Sequence, residues 1–248
     1  MSVSPKAVLI TGAARRIGKA IAELLHAKGM QIIIHYHSSA FDAENLCAEF
    51  NQQRPNSAAV VQANLNRFQD LSRLIDEATN AFGYLDVLVN NASGFSPTPI
   101  GAVNEAEWTQ LMDANLKAPF FLSQYAAPKL RQRKGTIINL CDIHAERPLK
   151  NYPVYCMSKA GLMMMTYALA KELAPDIRVN AVSPGAILWP EDENELNVKI
   201  KSEILSRIAL GQAGSPIEIA KAVLFFIEAA DYVTGQVLAV DGGRLLNC

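Results

Sequence analysis

Ala7-Val8-Leu9-Ile10-Thr11-Gly12-Ala13-Ala14-Arg15-Arg16-Ile17-Gly18 is the stretch from which the fold is read. Four apolar residues make a short strand with no polar face. A turn of small residues follows, and Ile17 opens a helical pattern that runs to Lys28. Strand, tight turn and helix in that order set the helix N-terminus over the turn. Backbone N–H groups and the positive end of the helix dipole then converge on one point, and small side chains let a pyrophosphate approach it. Such turns also occur where no nucleotide binds, so the weight of this one depends on the rest of the chain. Gly12, Arg16, Ile17 and Gly18 are its candidate phosphate-side residues. Arg16 stands where a second glycine is usual. Its side chain can reach a phosphate or an anionic or amide-bearing ligand, at some loss of backbone freedom.

Outward from this unit the pattern repeats. Short runs rich in Val and Ile lie at Ala7–Ile10, Gln31–His35, Ala58–Gln62, Val87–Asn90, Thr136–Leu140, Arg178–Val182 and Gln236–Val240. Each reads as apolar on both faces, as in a parallel sheet covered on both sides. Helical patterns lie between them at Ile17–Lys28, Ala40–Gln53, Phe68–Phe82, Glu105–Gln132, Tyr152–Ala174 and Pro216–Ala229. The alternation predicts a single α/β domain over residues 1–248, a Rossmann-like doubly wound sheet of about seven parallel strands with helices on both faces. One stretch breaks the rhythm, about 185–214, long and charged, after Ser183-Pro184-Gly185. It follows the sixth strand at the carboxyl edge of the sheet, where ligands bind. It reads as a substrate-covering loop with a short helix; a plain surface excursion is the alternative.

The bulk numbers narrow the class. The chain has 248 residues, 50% apolar, with a formal net charge of −1. That suits one large core and argues against nucleic acid or a membrane surface as partner. No apolar run has the length of a bilayer span. The start, Met1-Ser-Val-Ser-Pro-Lys6, lacks a basic segment, and Ala7–Ile10 is too short for a signal peptide. Four scattered cysteines, at 47, 141, 156 and 248, form no C-x-x-C pair. A disulfide framework or metal site is not expected, and a cytoplasmic setting is.

Cofactor choice is read at the end of the second strand. NAD sites usually carry an acid about twenty residues beyond the turn to hold the ribose 2′-hydroxyl. Here the strand ends His35-Tyr36-His37-Ser38-Ser39. With no carboxylate to repel a 2′-phosphate, and His37, Ser38 and Ser39 able to donate to one, NADPH is the expected cofactor. Asn91 and Ala92, after the fourth strand, leave room for a ribose and offer it polar contacts. Asn115 sits inside a helical pattern, where Asn is a poor helix former, and its side chain can open the local backbone.

Catalysis is read from Asp142…Tyr155-Cys156-Met157-Ser158-Lys159. Residues four apart share a helix face, so Tyr155 and Lys159 can enter one cleft. An ammonium beside a phenol favours the phenolate, making Tyr155 a proton donor and acceptor. The same spacing arises by chance on exposed helices, and Asp142 alone reads equally as a cap in a strand-to-helix loop.

Taken together, Thr11-Gly12…Gly18, Asn90-Asn91-Ala92, Asn115, Tyr155…Lys159, Pro184-Gly185 and Val240-Asp241-Gly242-Gly243 resemble the short-chain dehydrogenase/reductase superfamily across nearly the whole chain. Thr11–Gly18, His35–Ser39, Asn90-Asn-Ala-Ser-Gly-Phe-Ser-Pro-Thr-Pro99 and Asp142 are similar, more narrowly, to the pteridine reductases. Most of the superfamily has serine at the Asp142 position, donating to a substrate carbonyl; the pteridine reductases have aspartate. A carboxyl group suits a pterin, where hydride goes to a ring carbon and a proton to the neighbouring nitrogen.

The resemblance implies roles. Tyr155 donates the proton of the first reduction, Lys159 binds the nicotinamide ribose and lowers the Tyr155 pKa, and Asp142 supports Tyr155 and helps protonate a second nitrogen. Asn115 belongs to the catalytic set. Phe95 stacks on the pterin opposite the nicotinamide, leaving a slot of about 7 Å between the two walls. Ser93 and Arg16 lie near the pterin and the phosphates. Asn64 and Leu65 lie beside the adenine, and Pro184 and Gly185 complete the cofactor cleft. Two departures stand out: Ser38 replaces an arginine, and Asn64 replaces an aspartate. The acidic run Ile187-Leu-Trp-Pro-Glu-Asp-Glu-Asn-Glu195 favours small unconjugated pterins over a polyglutamylated folate tail. The implied activity is reduction of dihydropterin, with oxidised pterin or dihydrofolate as further substrates, in pterin and folate metabolism, by a homotetramer. A carbonyl or 3-oxoacyl-thioester reductase is the enzymatic alternative, and a non-catalytic NADPH-sensing protein the other.

Overall fold

The structure, a computed structural model, describes residues 5–187 and 198–247. The acidic run 188–195, the first four residues and Cys248 lie outside the described residues. Seven parallel strands form one sheet in the order β3-β2-β1-β4-β5-β6-β7. They are β1 (Ala7–Ile10), β2 (Gln31–Tyr36), β3 (Ala58–Gln62), β4 (Val87–Asn90), β5 (Thr136–Leu140), β6 (Arg178–Pro184) and β7 (Val237–Val240). The helices are α1 (Arg16–Ala27), α2 (Ala40–Gln53), α3 (Phe68–Phe82), α4 (Glu105–Met112), α5 (Ala118–Arg131), α6 (Pro153–Glu172), α7 (Val198–Ser206) and α8 (Pro216–Glu228). The expected single α/β unit, helices on both faces, is therefore what the chain builds.

Alternation along the strands explains the two cores. Val8, Ile10, Ile32, Ile34, Val87 and Val89 point to one face and pack with Ile21, Leu25 and Phe226 from α1 and α8. Their neighbours Leu9, Ile33 and Leu88 point to the other and pack with Leu74, Leu122 and Leu130 from α3 and α5. The two edge strands differ from the expectation of two apolar faces. β3 and β7 each carry exposed residues, because an edge strand has less helix above and below it. β2 and β6 run one and two residues beyond their predicted ends, to Tyr36 and Pro184.

The largest correction concerns Glu105–Gln132, predicted as one helix. It is two, joined by a π-helical turn at Asp113–Lys117. Pro119 has no N–H to give the Asn115 carbonyl four residues earlier, so the α-helical bond register fails there. Asn115 is thereby turned, buried at 1% exposure, into the space behind the β4 loop.

The chain path locates the ligand crevice. From β1 it winds outward through β2 and β3, then returns to β4 on the other side of β1. The connections after β1 and β4 diverge, and the gap beyond their carboxyl ends is where a doubly wound sheet binds its ligand.

Candidate active site

The turn after β1 is held by several independent ties. Thr11 Oγ1 accepts from the N–H groups of Asn91 and Ala92 at 2.9 and 3.0 Å. The Asn91 amide donates to the carbonyls of Thr11 and Gly12 at 2.8 and 3.1 Å. Gly12 has φ +63°, and a Cβ on Gly18 would lie 2.2 Å from the Gly12 carbonyl. The turn can close this tightly only with glycine at both places. Arg16, in place of the usual glycine, takes φ +52°, which is the strain that the substitution implied. The N-cap of α1, Arg15, makes no side-chain cap bond, whereas α4 and α8 carry full capping boxes. The leading N–H groups of α1 thus lack a side-chain cap. Together with the close-packed glycines, this fits a dinucleotide pyrophosphate.

His35 ties the turn after β1 to the second strand, and sequence reasoning missed it. Its Nδ1 accepts from Gly12 N–H at 3.1 Å and its Nε2 donates to the Ala63 carbonyl at 3.2 Å. Both ring nitrogens are used by the neutral form alone, since a proton on Nδ1 would face an N–H donor. Burial, the largest cause, and His37 push its pKa down to about 4. The sequence signal was available, a histidine in an otherwise apolar strand. Its consequence is pH-dependent stability. Unfolded His35 takes up a proton near pH 6.5 and the folded ring only near 4, so the unfolded state binds more protons between them. Stability should fall as pH drops through that window, by roughly 3 kcal/mol from this group. Urea midpoints at pH 7 and 4.5 check it, with the fall diminished in His35→Gln.

Downstream, the predicted 2′-phosphate residues sit on the surface, His37 and Ser38 exposed and Ser39 half-buried. Ser39 precedes α2 without capping it, so its hydroxyl is not spent there. Asn64 turns inward on its own loop, Oδ1 accepting from Asn66 N–H at 3.0 Å. Leu65 packs against the α3–α5 core. Asn90 faces away from the crevice, donating to Asn139 Oδ1 at 2.9 Å.

A cavity of about 700 Å³ opens beyond these strand ends and brings together most of the predicted site. Arg16, Ile17, Asn91, Ser93, Phe95, Asp142, Tyr155, Lys159, Pro184 and Gly185 line it. Gly12, Gly18, Ala92 and Asn115 stand behind that lining, and the β2- and β3-end residues lie off it. Tyr155 Oη donates to Asp142 Oδ2 at 2.7 Å. Asp142 Oδ1 accepts from His144 N–H at 2.8 Å and caps the 3-10 turn Ile143–Ala145. Asp142 is thus a cap, and its second oxygen accepts from the phenol. Lys159, 3% exposed, donates to the Leu140 carbonyl at 2.9 Å. Cys141 also lines the cavity, and burial pushes its thiol up to about 12, so it packs rather than reacts.

One expectation is reversed. Lys159 was expected to lower the Tyr155 pKa. The phenol instead lies well above its ordinary value, first because it is buried and then because the Asp142 carboxylate repels a phenolate and holds the hydroxyl proton. The Lys159 ammonium, 5.8 Å from the ring centroid, is directed to a backbone carbonyl.

Asn115 acts as a clamp. Its Oδ1 accepts from Gly94 N–H at 2.7 Å and Ser93 Oγ at 3.2 Å. Its amide donates to Gly94 O and Ser158 Oγ, both at 3.0 Å, and Ser158 Oγ donates to the Tyr155 carbonyl at 2.7 Å. The clamp sets the Phe95 loop against the helix that carries Tyr155. Phe95 meets the Tyr155 ring edge-on at 4.8 Å and stacks on Tyr152 at 4.5 Å. One face of the expected aromatic wall is therefore already covered by Tyr152, which the sequence reading did not single out. Ile200 and Ile204 of α7 also line the cavity.

Known proteins resemble this chain along its length. A family model described as enoyl-(acyl carrier protein) reductase matches residues 12–244. Pteridine reductase 1 of Leishmania tarentolae is 37% identical over 290 aligned positions, covering 100% of this chain and 99% of that protein. A 3-oxoacyl-(acyl-carrier-protein) reductase of Staphylococcus aureus is 37% identical over 244 positions, covering 97% and 98%. One from Thermotoga maritima is 35% identical over 251 positions, covering 99% and 100%.

Proposed function

We propose that this chain, which belongs to the short-chain dehydrogenase/reductase superfamily of oxidoreductases, is an NADPH-dependent pteridine reductase that converts dihydropterin to tetrahydropterin. The observation that carries the choice is the 2.7 Å bond from Tyr155 Oη to Asp142 Oδ2. A carbonyl reductase needs a second hydroxyl donor on the substrate oxygen, and an ionised carboxylate cannot donate. A carboxyl group that holds a protonated phenol suits a ring whose hydride-accepting carbon neighbours a nitrogen, which needs a proton delivered rather than an oxyanion bound.

Bound along Gly12, Arg16–Gly18, Asn91, Ala92, Pro184 and Gly185, the dinucleotide supplies the hydride. The chain does the rest. Lys159 keeps two of its three N–H donors beyond the Leu140 bond, enough to grip ribose hydroxyls. With oxidised pterin, Tyr155 transfers its proton to the ring nitrogen beside the carbon that receives hydride and is reloaded from water; with dihydropterin, Asp142 relays a proton from water to the second nitrogen. Phe95 and Tyr152 form an aromatic wall for a flat ring, Ser93 and Arg16 flank it, and the Asn115 clamp fixes the spacing. NADPH rather than NADH follows from the absence of an acid at Tyr36–Ser39.

Identity favours the acyl-thioester reading equally, at 37%. An NADPH-oxidation assay decides between them, with biopterin, dihydrobiopterin, dihydromonapterin, dihydrofolate and a β-ketoester offered in parallel and NADH as control. Turnover of the ketoester with none of dihydrobiopterin would reverse the choice.

A homotetramer in the cytoplasm completes the proposal. An apolar groove lined by Met112, Leu116, Phe120, Phe121 and Met164 runs between α5 and α6, with Met164 63% exposed. Such a surface suits a second copy, and light scattering measures the mass. Among the described residues no helix is long and apolar enough to cross a membrane, no metal-holding cluster occurs, and the three cysteines are free.

A further inference from the structure

We infer that His144 determines substrate preference by accepting, through Nε2, a hydrogen bond from a hydroxyl on the side chain of the substrate. The inference rests on the pterin reading and names the part of the pterin that the site reads. His144 lines the same cavity as Asp142 and Tyr155. Its Nδ1 lies 2.8 Å from the Arg147 carbonyl. A carbonyl only accepts, so Nδ1 carries the proton, and in the neutral ring Nε2 is a lone-pair acceptor. That nitrogen has no hydrogen-bond partner among the described residues.

The ring is also prepared for use. The His144 backbone N–H is fixed by Asp142 and its ring by Arg147, so its orientation is set before any ligand arrives. Its depth indicates which part of the substrate it meets. Lys159, Cys141 and Tyr155, at 3–4% exposure, form the floor of the cavity. His144 and Tyr152 are half-buried and Phe95 is 50% exposed, so these three stand nearer the mouth. A ring that reacts against Tyr155 on the floor directs its substituent toward the mouth, where Nε2 waits. A lone-pair acceptor two residues from the Asp142 carboxylate selects a hydroxyl over a carboxylate. A hydroxylated pterin is favoured over one with an acidic tail.

The test compares wild type, His144→Leu and His144→Gln on 7,8-dihydrobiopterin, which has two side-chain hydroxyls, on 6-methyl-7,8-dihydropterin, which has none, and on dihydrofolate. Neither substitution touches the backbone cap to Asp142. In His144→Leu the KM for dihydrobiopterin should rise about 3- to 10-fold, the worth of one neutral hydrogen bond, with kcat unchanged. The 6-methyl compound should be unaffected, and Gln should restore most of the loss. An equal loss on both dihydropterins, no loss on either, or a loss confined to dihydrofolate would overturn the inference and leave the pterin reading intact. Wild type inactive on every pterin would overturn both.

Discussion

Replacing Tyr155 by phenylalanine is expected to lower the turnover of oxidised pterin by about a hundred- to ten-thousand-fold, the usual worth of a positioned proton donor. The substitution removes one atom. The ring keeps its edge contact with Phe95, and the Ser158 bond to the residue 155 carbonyl is untouched. Cofactor affinity should therefore stay as it was, since the turn around Gly12 is held by Thr11, Asn91 and His35. Fluorescence titration of NADPH beside steady-state kinetics separates the two. Near-normal kcat in the Phe variant would remove Tyr155 from the chemistry. The raised phenol pKa adds a second expectation for wild type. Tyr155 stays loaded with its proton through neutral pH, so the rate profile should show no loss from this group on the mildly alkaline side of neutrality.

Asp142→Ser is expected to bind NADPH normally and to lose most pterin turnover. Serine cannot hold the Tyr155 hydroxyl proton as a carboxylate does. Asp142 also caps the Ile143–Ala145 turn, so a stability loss of about 0.5–2 kcal/mol should accompany the change. Asp142→Asn separates the effects, because its carbonyl oxygen can still cap His144 N–H while the charge is gone. A pterin rate that falls about a hundredfold or more in Asn at nearly native stability assigns the loss to proton handling. Unchanged turnover in both variants would leave Asp142 a structural cap alone, and the pterin reading would lose its main support.

How much of this was legible depended on whether a feature is local. The turn at Gly12 and Gly18 could be read because phosphate cradling needs small residues at fixed spacing between a strand and a helix. The Tyr155–Lys159 pair could be read because four residues make about one helical turn. The Glu105–Gln132 segment was misread because each half has good helical periodicity. The break depends on one missing N–H at Pro119, a defect of a single bond that periodicity averages away. His35 was passed over because its value lies in Gly12 and Ala63, 23 and 28 residues away along the chain.

By itself, then, the sequence determined the sheet of seven parallel strands, its helical cover, the position of the glycine turn after the first strand and most of the side chains that meet in the cavity. These follow from period and spacing, which the chain carries locally. Only the tertiary structure decided what those side chains do to one another. It placed the Asp142 carboxylate, rather than the Lys159 ammonium, on the Tyr155 hydroxyl, and so raised a pKa that the pairing alone suggested would fall. It also tied the Phe95 loop to α6 through Asn115 and set His144 at the mouth with one nitrogen committed. Burial and charge proximity act through space, between residues that β5, α5 and α6 bring together.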